Sequence, residues 1–131
     1  MHKMIDKSVI GMVFKQLPCF FIDVGQCFIR NFLPQLHTPQ DLNAWLNEQR
    51  RAPGGKFILL PGGASNLHAQ PRPQGRATLL IGPEGGFTAD EANVAQQAGF
   101  APILLGPRVL RTETAAIAGI AALQTLWGDF Q

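Results

Sequence analysis

The stretch over residues 79–91, Leu-Leu-Ile-Gly-Pro-Glu-Gly-Gly-Phe-Thr-Ala-Asp-Glu, leaves a chain few ways to fold. An apolar, β-favouring run meets a glycine-rich turn and a helix start follows at once, so the chain turns a corner from strand through loop to helix. Gly82, Gly85 and Gly86 carry no Cβ, so the loop can take positive φ and let a ligand reach bare N–H groups. Thr88 followed by Glu91 reads as a capping box worth about 1 kcal/mol, which points the positive end of the helix at the loop. Tight turns of this kind also occur in α/β chains for purely structural reasons. The pattern has neither the Lys-Ser/Thr pair of a P-loop nor the spacing G-x-G-x-x-G, so a ligand other than a phosphate chain is expected.

The remaining segments set this corner in a larger pattern. Residues 9–14 and 20–24 are apolar, and each fits a buried strand or pieces of one helix; periodicity does not separate the two. Arg30, Asn31 and Pro34 close that segment with turn chemistry. Thr38 as N-cap, Pro39 as first helical residue and Asp41 in the first turn open a helix that runs to about Arg50. Leu42, Trp45 and Leu46 share one of its faces, and Pro53, Gly54 and Gly55 stop it. Residues 57–60, 77–81 and 103–105 are short continuous apolar runs, as parallel strands covered on both faces require. A helix over residues 89–98 ends at Gly99, and the most helical segment, residues 115–127, ends at Gly128. Residues 64–76 read as a polar surface loop, whose Arg72 and Arg76 are either solvated charges or phosphate contacts. Strand and helix alternate, which predicts an α/β fold: a parallel sheet with helices on both faces. Gly82 and Gly106 then mark two strand carboxyl ends, where such sheets hold ligands.

At 131 residues one domain buries roughly two-thirds of its unfolded surface. A hydrophobic content of 46% against 15% charged residues belongs to a core-rich globular chain rather than a disordered one. The formal charge of +2 and pI near 8.8 are compatible with an RNA partner without arguing for one. Cys19 and Cys27 make neither a disulfide framework nor a metal site, and His2, His37 and His68 lack ligand spacing. Nothing has the order of a signal peptide, and no apolar run reaches the roughly 20 residues of a membrane span, so a cytoplasmic protein is expected.

Two motifs carry a family resemblance. Residues 80–87, Leu-Ile-Gly-Pro-Glu-Gly-Gly-Phe, are followed by Ala89-Asp90-Glu91; residues 104–115 read Leu-Leu-Gly-Pro-Arg-Val-Leu-Arg-Thr-Glu-Thr-Ala. In this order, with one helix to follow, they resemble the RsmE family of ribosomal RNA methyltransferases in the knotted SPOUT superfamily. The likeness covers residues 30–131 and is strong from residue 77 onward. It implies a C-terminal trefoil knot, an exception among folds. It also implies S-adenosylmethionine as donor, a homodimer, and methylation of uridine N3 in small-subunit (16S) ribosomal RNA. The family carries an N-terminal barrel-like RNA-binding domain, then a first strand and helix of the methyltransferase domain, and neither is recognisable here. Gly25-Gln26-Cys27-Phe28-Ile29-Arg30-Asn31 stands where the family usually shows Glu-Gln-small-Gly-Arg. Residues 1–30 are therefore expected to be a non-native or truncated start, and residues 31–131 the methyltransferase domain, with no metal and no membrane partner.

The resemblance assigns the donor pocket to Leu60, Ile81, Gly82, Pro83, Glu84, Gly85, Gly86, Leu105, Gly106, Val109 and Leu110, closed by Thr114 and Ala115. Taken singly, the leucines and Ile81 read equally as core. Arg108 and Arg111 lie between a buried strand and a buried helix, where charge is costly unless partnered. Arg111 is expected to steady negative charge on the uracil or a phosphate beside it, and Arg108 to orient the RNA; an ion pair of Arg111 with Glu113 or across a dimer is the structural alternative. Glu113 and Glu84 are candidate bases for the N3 proton, although carboxylates at helix starts also complement the dipole. Trp45 and Trp127 read as core or dimer contacts. The alternative function is a truncated, non-catalytic donor-binding or dimerisation module lacking RNA recognition.

Overall fold

The computed structural model describes residues 10–14, 22–23, 35–36, 40–63 and 65–128. In chain order the elements are β1 (Ile10–Phe14), β2 (Ile22–Asp23), β3 (Gln35–Leu36), α1 (Leu42–Gln49), β4 (Gly55–Leu59), β5 (Ser65–Asn66), a 3-10 turn (Leu67–Ala69), β6 (Ala77–Ile81), α2 (Ala89–Gln97), β7 (Ala101–Leu104) and α3 (Thr112–Trp127). The strands form one seven-stranded sheet in the order β3-β2-β1-β6-β4-β7-β5. The block β1-β6-β4-β7-β5 is parallel throughout. β2 and β3 add antiparallel strands at one edge, so the sheet is mixed rather than wholly parallel.

Both faces of the central strands β6, β4 and β7 are covered, which is why their apolar runs do not alternate. All five residues of β6 are buried. Neighbouring residues point to opposite faces. Phe57, Leu79, Ile81 and Ile103 pack with Ala115, Ala116 and Leu123 of α3, whereas Ile58 and Leu80 pack with Trp45 and Leu46 of α1, Ala95 of α2 and Phe100. Trp45 is 3% exposed, with its ring tilted against Phe100 at 5.7 Å between centroids. Trp127 stacks on Phe57 at 5.6 Å. Each large apolar side chain so enclosed contributes about 1.5–3 kcal/mol of transfer free energy.

α3 comes unusually close to the sheet. A Cβ added at Gly119 would lie 2.5 Å from Leu79 Cδ2, 3.6 Å from Leu105 Cδ1 and 3.8 Å from Leu59 Cδ1. Only a residue without a side chain lets the helix axis approach β6 this far.

Several local expectations shift. α1 is capped by Asp41, whose carboxylate accepts from Asn43 N at 2.9 Å and Ala44 N at 3.1 Å, so Asp41 is the N-cap and not a first-turn residue; Thr38 and Pro39 lie outside the described residues, as do Arg30, Asn31, Pro34 and both cysteines. Asp41→Ala is expected to cost about 1 kcal/mol, read as a Tm lower by a few degrees in thermal denaturation. The polar segment 64–76 is not all loop: it contains β5 and the 3-10 turn, and buries Leu67. Arg72 donates to the Trp127 carbonyl at 3.1 Å, satisfying an orphan acceptor at the negative end of α3. β7 starts two residues earlier than the apolar run and includes Pro102. Leu60 N donates to Ile103 O; backbone groups alternate sides along a strand, so the donor Pro102 lacks would have faced the β5 side, where pairing begins only at Ile103. α3 starts at Thr112 rather than Ala115, its first turn closed by Ala115 N to Arg111 O at 2.7 Å. At the N-terminal end of β4, burial lowers the Lys56 pKa below 10.5, so the ammonium weakens the fold below that lowered value and the cost fades as pH climbs toward 10.5.

The register places β7 in a distinctive position. Ile103 pairs with Leu59 of β4 on one side and with Ser65 of β5 on the other. The short link between these two residues therefore passes across the line of β7. It lies tight against it: a Cβ at Gly63 would meet the Ile103 carbonyl at 3.0 Å.

Candidate functional site

Three parallel strands end side by side. Pairing of Ile58 with Leu80 and of Leu59 with Ile103 sets Leu60 level with Gly82 on one flank and Leu104 on the other. The ends of β6 and β7 are thus two strand spacings apart, about 10 Å, with the end of β4 between them. Phe14, at the end of β1, pairs with Ile81 on the far flank.

The corner after β6 is shaped by different glycines for different reasons. Gly86 alone among the three takes positive φ, +72°, and its N–H donates to Pro83 O at 2.8 Å to close the turn. Gly82 is needed for close approach instead: a Cβ there would sit 3.0 Å from the Phe87 ring. Gly85 is exposed with open space around it. The capping box is formed as expected, with Glu91 N donating to Thr88 Oγ1 at 3.3 Å and Thr88 N to Glu91 Oε2 at 2.8 Å. After β7, Gly106 also takes positive φ, +86°. The two corners are joined directly: Thr112 Oγ1 donates to Gly82 O at 3.1 Å, across 30 residues of chain.

A family model described as an RNA methyltransferase domain matches residues 24–124. This chain belongs to that family. The methyltransferase domain is 38% identical over 102 residues to ribosomal RNA small subunit methyltransferase E of Buchnera aphidicola from Acyrthosiphon pisum, spanning 78% of this chain and 40% of that protein. It is 38% identical over 93 residues to the protein of the same name from Mesomycoplasma hyopneumoniae, with 71% and 40% covered. The chain thus spans about two-fifths of the curated relatives it matches. Among solved structures it resembles ribosomal RNA small subunit methyltransferase E of Neisseria gonorrhoeae bound to S-adenosyl methionine, with TM-score 0.72 and 40% identity over 78% of this chain and 43% of that one. The putative methyltransferase Lpg2936 from Legionella pneumophila, in complex with the bound cofactor SAM, gives TM-score 0.62 and 40% identity, covering 76% of this chain and 40% of that one.

Within this RNA methyltransferase domain the residues assigned to the site divide into three groups. Gly82, Pro83, Gly86, Leu60, Leu105 and Leu110 are half-buried around the strand ends. Ile81 and Ala115 are core, at 2% and 7% exposure, so only their main chain is open to a ligand. Glu84, Gly85, Gly106, Arg108, Val109, Arg111, Glu113 and Thr114 are exposed. Thr114 shares the outer stripe of α3 with Glu113 and Ile117, while Thr112, Ala115 and Ala116 form the inner one. Burial therefore plays no part in the case for the arginines. Their positions do: Arg111 is the N-cap of the 16-residue α3 and makes no side-chain cap bond. That place ordinarily favours Asn, Asp, Ser or Thr, and a cation there opposes the positive helix end. Thr112, which ties the corners together, escaped sequence reasoning; a hydroxyl at a helix start is the only local signal, and its partner is distant in the chain. Among the described residues there is no group of three His, Cys, Asp or Glu able to hold a metal. No described helix is long and apolar enough to cross a membrane.

Proposed function

We propose that this domain binds S-adenosylmethionine at the ends of β6, β4 and β7 and methylates uridine N3 in small-subunit ribosomal RNA. The hydrogen bond from Thr112 to Gly82 carries the reading, because it brings both glycine-bearing corners to one place. Half-buried Leu105 and Leu110, packed on the α3 side of the sheet, offer apolar surface for an adenine ring, with Leu60 on the other face of the same strand ends, and the glycines offer main-chain groups without side chains in the way. The likeness to a relative solved with S-adenosyl methionine supports the same ligand.

When bound, the donor supplies an electrophilic sulfonium methyl. The protein contributes alignment, worth about 7–11 kcal/mol for a near-attack geometry. Glu113, exposed on the first turn of α3, accepts the N3 proton; Glu84, exposed in the corner after β6, is the second candidate. Arg111 steadies the negative charge left on the uracil, and Arg108 orients the RNA by its phosphates. The base must be met unstacked or drawn from its stack.

We read the link that crosses β7 as one side of a trefoil knot through which the C-terminal segment passes. The working form is a cytoplasmic homodimer. Val109 and Ile117 support this, being apolar yet 79% and 72% exposed in one copy. Light scattering should give a mass about twice 14.2 kDa, and Ile117→Lys should return it to a single copy; a dimer unaffected by that charge would place the interface elsewhere.

Calorimetry with S-adenosylmethionine followed by a methyl-transfer assay on small subunits lacking the modification tests the whole. Donor uptake with transfer supports the enzyme. Donor uptake without transfer favours a donor-binding module lacking RNA recognition. No uptake overturns both.

A further inference from the structure

Thr112 is the first residue of α3 and Gly82 the first after β6. Among the described residues, the bond between them is the only hydrogen bond that joins residues 82–88 to residues 105–112. Farther along, α3 is fixed by the close seat of Gly119 on Leu79. Gly119 lies seven positions after Thr112, about 10 Å along the helix. The seat holds the body of the helix against the sheet; the hydroxyl sets where its first turn lies relative to the corner after β6.

We propose that Thr112 is a positioning residue for the methyl donor: its hydroxyl fixes the gap between the two glycine-bearing corners and, through the first turn of α3, the place of Arg111 beside them. The inference rests on the donor site proposed above. Thr112 touches neither the donor nor the RNA in this scheme. It acts on Gly82 O, taking up that carbonyl and holding the 82–86 turn against the start of α3. Losing it loosens the two corners while leaving the helix seated, so the fold survives and the ligand geometry does not.

Thr112→Val keeps the shape and removes the donor hydrogen; Thr112→Ser keeps the hydroxyl. Calorimetry with S-adenosylmethionine should show the valine variant binding about tenfold more weakly and the serine variant within about twofold of the parent protein. In the transfer assay the loss should fall on KM for the donor and, because Arg111 moves with the first turn of α3, on kcat at saturating donor as well, with the serine variant restoring both. Without any ligand, amide exchange of the 82–87 segment should quicken in the valine variant alone, because the latch acts in the empty protein. Equal donor binding by the parent and valine forms, or a serine form as weak as valine, overturns the inference and leaves the proposed activity standing. Unchanged exchange at 82–87 also overturns it. A parent protein that binds no donor sinks the proposed activity, and the inference falls with it.

Discussion

Gly119→Val is expected to destabilise the fold by about 3 kcal/mol, near the upper end of overpacking effects. The added Cβ would lie 2.5 Å from Leu79 Cδ2, and Leu79 is fully enclosed in the centre of the sheet, so it has nowhere to move. Helix propensity works the other way, since glycine inside a helix costs about 1 kcal/mol relative to alanine. Gly119→Ala therefore separates the two effects: it gains the propensity and keeps most of the clash, and should fall between the parent protein and valine. Urea denaturation followed by far-UV circular dichroism reads all three, with a lower midpoint at unchanged slope as the signature. A valine variant as stable as the parent would mean that α3 does not press on β6 as described. Leu105 and Leu59 are the other neighbours of that Cβ, at 3.6 and 3.8 Å, so a displaced helix should also weaken donor binding.

Arg111→Ala is expected to reduce methyl transfer by about 10²–10³, the range found when a group stabilising developing negative charge is removed, with donor affinity within a few-fold. The argument comes from what its position costs. An arginine N-cap leaves the first N–H groups of α3 without a side-chain acceptor and sets a cation against the positive helix end, by about 0.3–1 kcal/mol. Arg111→Ser should therefore stabilise the protein slightly while lowering transfer as far as alanine does. That opposition of signs is hard to produce by a structural role, in which activity and stability fall together. A variant with normal turnover would remove Arg111 from the chemistry and shift attention to Arg108, the other exposed cation of this segment.

The sequence was most informative where local chemistry decides the outcome. Thr88 and Glu91 form the expected box because both partners lie within one helical turn, and Gly99 ends α2 with φ of +95° because no other residue adopts that angle readily. Residues 77–81 are the strand that their apolar run implied, while residues 9–14 and 20–24, open between helix and strand, yield β1 and β2. Long-range facts were out of reach. That Arg72 serves the end of α3 depends on a partner 55 residues away, and the bond from Thr112 to Gly82 on one 30 residues away. Conformation also divided what composition had grouped: of three glycines in one turn, one is there for its angle and one for the ring beside it. The arginines, expected to be costly by burial, are exposed; what singles out Arg111 is the helix it caps, a property visible only once α3 is seen to begin at Thr112.

The placement of β7 between β4 and β5 governs the order of assembly. Among the described strands β5 pairs with β7 alone, so until β7 is made, after α2, β5 has no ladder to join and β4 keeps an open lane beside it. During that wait the edge of β4 is bare, the circumstance in which chains adhere to one another. Maturation should accordingly be slow and governed by late insertion, and a chain released before residue 101 should be a substrate for chaperones or proteases rather than a smaller stable protein.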